Sequence, residues 1–261
     1  MTLEELKQLK KESGWTNQMI ADRSGVPLST VQKIFSGATD APRYATLQAL
    51  EAAFYTETMP AYQTAQKRPG EFTLEDYYAL PDDQRVELID GTFYIIEAPE
   101  VVHQGLGGEV FIQLRDYIRK TGRKCVPFLA PVDVQLDCDN RTMVEPDVLV
   151  LCDRSKLIRR CIYGAPDLVM EILSPSTRKK DCSLKLHKYC NAGVREYWII
   201  YPEERKVVVY DFENNSPPQI FGFDAQIPVG IFHGDCVIDF HEICEAIDFM
   251  FDLPENGPDE E

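Results

Sequence analysis

The sequence predicts two domains of different class. The first is small and all-α; the second is α/β (α+β), with its sheet built from the middle third of the chain. Three observations carry this reading. Residues 1–58 show only helix-type apolar spacing. Residues 59–70, MPAYQTAQKRPG, hold two prolines and a glycine with no apolar period, and read as a linker. From residue 71 strand-type alternation enters and fills the middle third of the chain.

Each element has its own signal. Leu3, Leu6 and Leu9 start an amphipathic helix that Gly14 ends. Thr16 is a suitable N-cap for a second helix running to about Ser24. Gly25 supplies the next turn, Ser29 or a neighbour opens a third helix, and Gly37 closes it. After Pro42, the run Tyr44 to Tyr55 is a further helix.

In the larger domain, residues 71–253, TLEDYYAL is a short helix with a T-x-x-D start. RVELID and TFYIIEA alternate as strands, and Asp90-Gly91 between them signals a hairpin. Leu106, Val110, Leu114, Tyr117 and Ile118 recur at helical spacing to about residue 119. CVPFLAPVDVQL, VEPDVLVLC and PDLVMEIL are β-rich, and a helix from about Lys179 to Ala192 is closed by Gly193. EYWIIYP and KVVVYDF are strands, and IPVGIF, CVIDF and EICEAIDFMF read as further strands and a terminal helix. Residues 254–261, PENGPDEE, read as a disordered acidic tail.

Composition narrows the function classes. Hydrophobic residues make up 44% and charged residues 27% of the 261, which excludes wholesale disorder. No run approaches the ~18 apolar residues that span a bilayer, and MTLEELKQLKK lacks the apolar core of an export signal. A cytoplasmic protein without a membrane partner is expected. The eight cysteines form no CxxC pair and are expected to be reduced, half-buried small hydrophobes. The net charge of -16 argues against a nucleic-acid partner, but the way the charge is distributed removes that objection. Residues 212–261 hold 12 acids and no Lys or Arg, so the first 211 residues are near neutral and open to local basic patches. The acidic end is read as a solubilising surface or as a shield that competes with DNA phosphates.

In NQMIADRSGVPLSTVQKIF, Ala21 sits where two helices must approach, and Gly25 permits a positive φ four residues later. Val31 and Ile34 point back into a three-helix core. This spacing resembles the Cro/repressor-type helix-turn-helix domains over essentially all of residues 1–58. The resemblance implies that the helix from about Leu28 to Ser36 enters the major groove of DNA, with Ser29, Thr30, Gln32 and Lys33 exposed for contact. Arg23 and Arg43 would help with phosphates. A helical bundle used only for dimerisation is the alternative, and a homodimer is the expected assembly.

Four acids stand out by context. Glu87 lies in the strand RVELIDG, Asp147 precedes VLVL, Glu171 interrupts LVMEIL, and Asp181 opens the following charged helix. A carboxylate inside such a strand is costly to bury without a positive partner. Strands side by side would bring Asp147 and Glu171 together, and a divalent cation is their natural partner. Taken singly, each acid is read first as a salt-bridge partner of Arg or Lys; a Pro-Asp and a strand Glu together, with a lysine cluster downstream, turn the reading toward the cation.

VELIDG, a His beginning the next helix, AP-VDVQLD, EPDVLVL, GAPDLVMEILSPSTR, the D…K…Y helix and GVREYWIIYP resemble, in order, the Uma-type restriction endonucleases. These are similar in turn to the PD-(D/E)xK nuclease fold, and the resemblance covers about residues 70–250. It implies a restriction-endonuclease-like mixed sheet flanked by helices and a Mg²⁺- or Mn²⁺-dependent endonuclease, with Asp147 and Glu171 as metal ligands. Glu87 would provide a further carboxylate, either behind the metal ligands or as a ligand to a second metal. Where the usual pattern has its lysine this sequence has Leu173, and Lys185, flanked by Asp181 and Tyr189 one helical turn away on either side, best matches that role. Lys179 and Lys180 are competitors. His103 is the candidate proton donor or phosphate contact; His187, His233 and His241 show no ligand spacing. Ser174 and Ser176 are read as caps. The alternative is a non-catalytic DNA-binding regulator whose nuclease-like domain serves dimerisation or ligand sensing.

Overall fold

The computed structural model describes residues 3–13, 15–39, 42–55, 67–81, 84–174, 177–178 and 180–254. Residues 59–66 of the expected linker, Ser176, Lys179 and residues 255–261 of the expected tail lie outside the described residues. The chain divides into two compact units, Met1–Glu97 with Asp139–Val144 and Ala98–Cys138 with Glu145–Glu261.

The first unit opens with four helices, α1 (Leu3–Ser13), α2 (Asn17–Ser24), α3 (Leu28–Phe35) and α4 (Tyr44–Tyr55). Thr16 caps α2 by accepting from the Met19 amide at 3.2 Å, and Gly25 ends it at φ +67°. Pro27, rather than Ser29, precedes α3 and makes no side-chain cap. Leu6, Ile20, Ala21, Val26, Val31, Ile34 and Leu50 form the buried core of these helices. Trp15 stacks on Phe54 at 5.0 Å beside that core.

Next comes α5 (Leu74–Tyr78), opened by a Thr73/Asp76 capping box, then the hairpin of β1 (Val86–Ile89) and β2 (Thr92–Ile95). Its turn places Asp90 at φ 51° and Gly91 at φ 78°. Gly91 is needed twice over, because a Cβ there would also stand 2.6 Å from the Gly70 carbonyl. Residues 139–144 close on the hairpin through paired backbone bonds between Leu88 and Met143, at 2.8 and 2.7 Å.

The second unit begins with the long helix α6 (Val101–Thr121). Its buried stripe, Leu106, Gly107, Val110, Leu114 and Ile118, lies on a sheet built from β3 (Val126–Leu129), β5 (Val148–Leu151), β7 (Leu168–Ile172), β8 (Glu196–Tyr201), β9 (Lys206–Asp211) and β10 (Gln219–Gly222). A Cβ at Gly107 would sit 3.2 Å from Leu129 Cδ1, so glycine lets the helix come close to the sheet. The strand order is β10-β9-β8-β7-β5-β3. β7 and β8 run parallel and the other neighbours antiparallel. The parallel pair is joined by a helical crossover ending in α7 (Leu186–Ala192), as a parallel connection requires. Two small pairs, β4 (Val134–Gln135) with β6 (Ile162–Tyr163) and β11 (Gln226–Pro228) with β12 (Val237–Asp239), accompany the sheet, and α8 (Phe240–Ile247) packs into the core with α6.

Three sequence expectations need correction. The crossover is not one regular helix from about Lys179: residues Lys180–Lys185 form a wide π-helical turn, and only Leu186–Ala192 is α-helical. β10 went unrecognised because its residues are mostly exposed on an edge, where no buried face imposes alternation. Nor are all the cysteines reduced. The β3–β5 register sets Val126 opposite Leu151, so the next pair outward is Cys125 and Cys152, which are disulfide-bonded. Cys138, Cys161, Cys182, Cys190, Cys236 and Cys244 are free thiols. No described helix is long and apolar enough to cross a membrane.

Candidate active site

Two strands position the carboxylates. Val148 of β5 pairs with Met170 of β7, so Asp147, one residue before β5, continues that register opposite Glu171. Opposed residues of an antiparallel pair share a face. The Ile172 amide donates to Asp147 Oδ2 at 2.7 Å, tying the two strands together at this point. The costly in-strand acid Glu171 has its compensation: Lys185 Nζ donates to Glu171 Oε1 at 2.8 Å, and Tyr189 Oη donates to the same oxygen at 2.6 Å. Lys185 Nζ also lies 3.4 Å from Asp181 Oδ1. Glu171, Lys185, Asp181 and Tyr189 are all buried, so one ammonium is shared by two carboxylates in a poorly solvated place.

The π-helical turn makes this possible. A turn closing at i→i+5 is wider than an α-turn, and here it carries both Asp181 and Lys185 into the interior before α7 brings Tyr189 to Glu171. Tyr197 Oη donates to the Asp181 carbonyl at 3.2 Å. Burial pushes the Tyr197 phenol well above its ordinary range, so it stays a donor.

His103, in the first turn of α6, places Nε2 3.2 Å from Asp147 Oδ2. Burial alone would lower its pKa, but the hydrogen bond and charge of Asp147 outweigh it and hold the imidazole above its ordinary value. Beside it, a hollow is lined by Glu100, His103, Leu173, Ser174, Pro202 and Glu203. Ser174 Oγ accepts from the Thr177 amide at 3.2 Å and so caps the crossover. Leu173 is buried. Lys180 is buried at the start of the π-helical turn.

Asp147, Glu171, Lys185 and His103 therefore come together in the second unit, at one end of its sheet. Glu87 belongs to the first unit, buried on β1 in register with Tyr94. Among the described residues, no group of three or more His, Cys, Asp or Glu side chains is placed to hold a metal ion. In the helical unit, Ser29, Gln32 and Lys33 are exposed on α3 and Thr30 is half-buried, while Val31 and Ile34 are fully buried. Arg23 lies over the Trp15 ring at 4.0 Å, and Arg43 is exposed.

A family model described as Uma2, putative restriction endonuclease, matches residues 74–236, more than half of the chain. The chain belongs to the Uma2 family. A helix-turn-helix model matches residues 6–55, within the domain read from Ala21 and Gly25. Among solved structures, a putative nuclease belonging to DUF820 from Anabaena variabilis is similar with a TM-score of 0.56 at 22% identity. It covers 67% of this chain and 98% of that one, a likeness of fold. No curated protein matches the chain.

Within the Uma2 region, sequence reasoning missed Tyr197 and the Ile172 amide. A signal for Tyr197 existed. β8 runs parallel to β7 with Ile199 beside Glu171, and the period of two puts Tyr197 on the same face as Ile199. No local signal marks a backbone amide as the partner of a distant aspartate.

Proposed function

We propose that the chain is a divalent-metal-dependent DNA endonuclease whose helix-turn-helix delivers it to its substrate. The observation that carries this reading is the convergence of Asp147, Glu171 and Lys185 on one end of the sheet, in a fold like that of the DUF820 structure described as a putative nuclease.

The donor set suits a hard cation. Two carboxylates on neighbouring strands, with water and phosphate completing the shell, is how Mg²⁺ is commonly held, so the lack of a three-residue cage among the described residues is no obstacle. Asp147 and Glu171 would hold Mg²⁺ or Mn²⁺, which when bound supplies Lewis-acid polarisation and a water of lowered pKa. Lys185 would offset charge that develops on a phosphate at this end of the sheet. Tyr189 fixes the Glu171 carboxylate. His103, held by Asp147 beside the hollow, would give or take a proton or contact a phosphate oxygen there.

The helix-turn-helix binds duplex DNA through α3, where Gln32 can read an adenine edge and Lys33 a guanine edge or a phosphate. The protein acts as a homodimer on this reading. One observation favours the non-catalytic regulator instead: Lys185 and Tyr189 already satisfy Glu171 with no metal required. Incubating supercoiled plasmid with Mg²⁺ or Mn²⁺ separates the two. The nuclease nicks or linearises it and the Asp147→Ala protein does not; a wild type that leaves plasmid intact with both metals is the regulator.

A further inference from the structure

Nine of the chain's 27 cationic residues fall in two short stretches, 115–124 and 153–160, which together hold only two carboxylates, Asp116 and Asp153. The fold sets these stretches side by side. The first is the last turns of α6 and the entry to β3; the second follows β5, the strand paired with β3. Arg154 Nε donates to the Lys124 carbonyl at 2.6 Å, joining them directly.

Some of these cations serve the fold. Arg115 pairs with Asp116 at 2.8 Å, Arg123 pairs with Asp235 at 3.3 Å, and Lys156 donates to the Ala165 carbonyl at 2.7 Å. Arg119, Lys120, Lys124, Arg154 and Arg159 are different. All five are exposed, and among the described residues none makes an ion pair, in a protein with 43 acidic residues. The negative end of the α6 dipole accounts for Arg119 and Lys120. It does not account for Lys124, Arg154 and Arg159, which lie past the helix. A concentration of like charge that the chain's own acids leave alone is a surface suited to an external polyanion. Six of the nine cations are arginines, whose planar fork matches phosphate oxygens.

We propose that this basic end of the second unit docks the phosphate backbone of duplex DNA, as an anchor separate from the carboxylate end. The proposal rests on the nuclease reading for its partner and extends it by a second contact. β5 spans the sheet between the two ends, so the five steps from Asp147 to Cys152 set them at roughly 17 Å, on ~3.3 Å per strand residue. At ~3.4 Å per nucleotide along one strand, the anchor meets phosphates about five or more nucleotides from a bond held at the carboxylates.

The test uses the full chain and a random-sequence duplex without divalent metal, with affinity followed by fluorescence anisotropy over a salt series. One variant carries Arg119→Gln, Lys120→Gln and Lys124→Gln; a second keeps the charge with Arg119→Lys, Lys120→Arg and Lys124→Arg. The slope of log K against log salt should flatten by roughly 2–3 in the first variant, at ~0.9 for each phosphate no longer neutralised, and stay at the wild-type value in the second. The helix-turn-helix contributes equally to all three proteins, so the difference isolates the basic end. An unchanged slope in the neutral variant overturns the proposal, as does an equal loss in the charge-keeping variant. A neutral variant with the wild-type slope but an altered sedimentation coefficient would make this end a contact between copies, which also overturns it. Because the readout is binding without metal, a protein that never cuts plasmid would remove the nuclease reading and leave this result standing.

Discussion

Lys185→Met is the substitution with the largest expected consequence. Lys185 is 4% exposed, and its ammonium lies 2.8 Å from Glu171 and 3.4 Å from Asp181, both equally buried. Methionine keeps most of the stem, so little cavity forms and the change is one of charge. Two carboxylates are then stranded in the interior with their shared cation gone. Breaking a buried pair from one side costs about 3–5 kcal/mol, because the remaining charge keeps its desolvation penalty and loses its attraction. At ~2–4 °C per kcal/mol for a unit of this size, melting should fall by roughly 10 °C. Scanning calorimetry at neutral pH reads this directly, and since two units can unfold separately, only one transition should move.

Two further arms sharpen the result. Adding Glu171→Gln to Lys185→Met removes one stranded charge, so the double variant should recover part of the loss, the mark of coupling between the two residues. Mn²⁺ should raise the melting of Lys185→Met by more than it raises the wild type, because a cation then replaces the missing ammonium. At ten times its dissociation constant the linkage is worth about 1.4 kcal/mol. A Lys185→Met protein that melts within a degree or so of wild type refutes the reasoning, for it would mean that the pair behaves like a solvated surface ion pair.

The remaining expectations concern the same residues and the reading helix. Tyr189→Phe deletes the hydroxyl that donates to Glu171 at 2.6 Å, and should cost about 1.5–3 kcal/mol in urea unfolding; no change would mean that the bond is absent in solution. Asp147 holds the His103 pKa above its unfolded value despite burial, so its stabilisation is fully present below the unfolded pKa near ~6.5 and is lost as pH rises through the folded one. Wild type minus His103→Gln stability, measured across that window, should therefore shrink as pH rises, and a flat difference would contradict the Asp147 contact. Gln32→Ala with Lys33→Ala removes two exposed side chains of α3 and should weaken binding to duplex DNA without lowering the melting temperature. Undiminished affinity would take α3 out of the interface.

What could be read in the chain was whatever depends on neighbours in sequence. Thr16 and Gly25 mark helix ends because a cap and a positive φ are decided within a few residues. Asp90-Gly91 marks a hairpin for the same reason, and Leu106, Val110 and Leu114 mark a buried stripe through period alone. Asp147 and Glu171 were legible as candidates because an acid within an apolar strand announces a cost that something must offset. The identity of that offset was not legible. That Lys185 and Tyr189 meet on one oxygen of Glu171 follows from a π-helical turn, whose wider circuit leaves no mark in the apolar period.

Strand register decided the rest. It set Asp147 opposite Glu171, and at the far end of the same strand it set Cys125 opposite Cys152 and brought two basic stretches together. The sequence by itself determined the two fold classes, the helix-turn-helix and the acids worth watching, because burial periodicity, caps and turns are local. Only the tertiary structure decided which cation those acids share and where the exposed cations gather, because pairing across strands joins residues tens of positions apart that carry no local trace of one another.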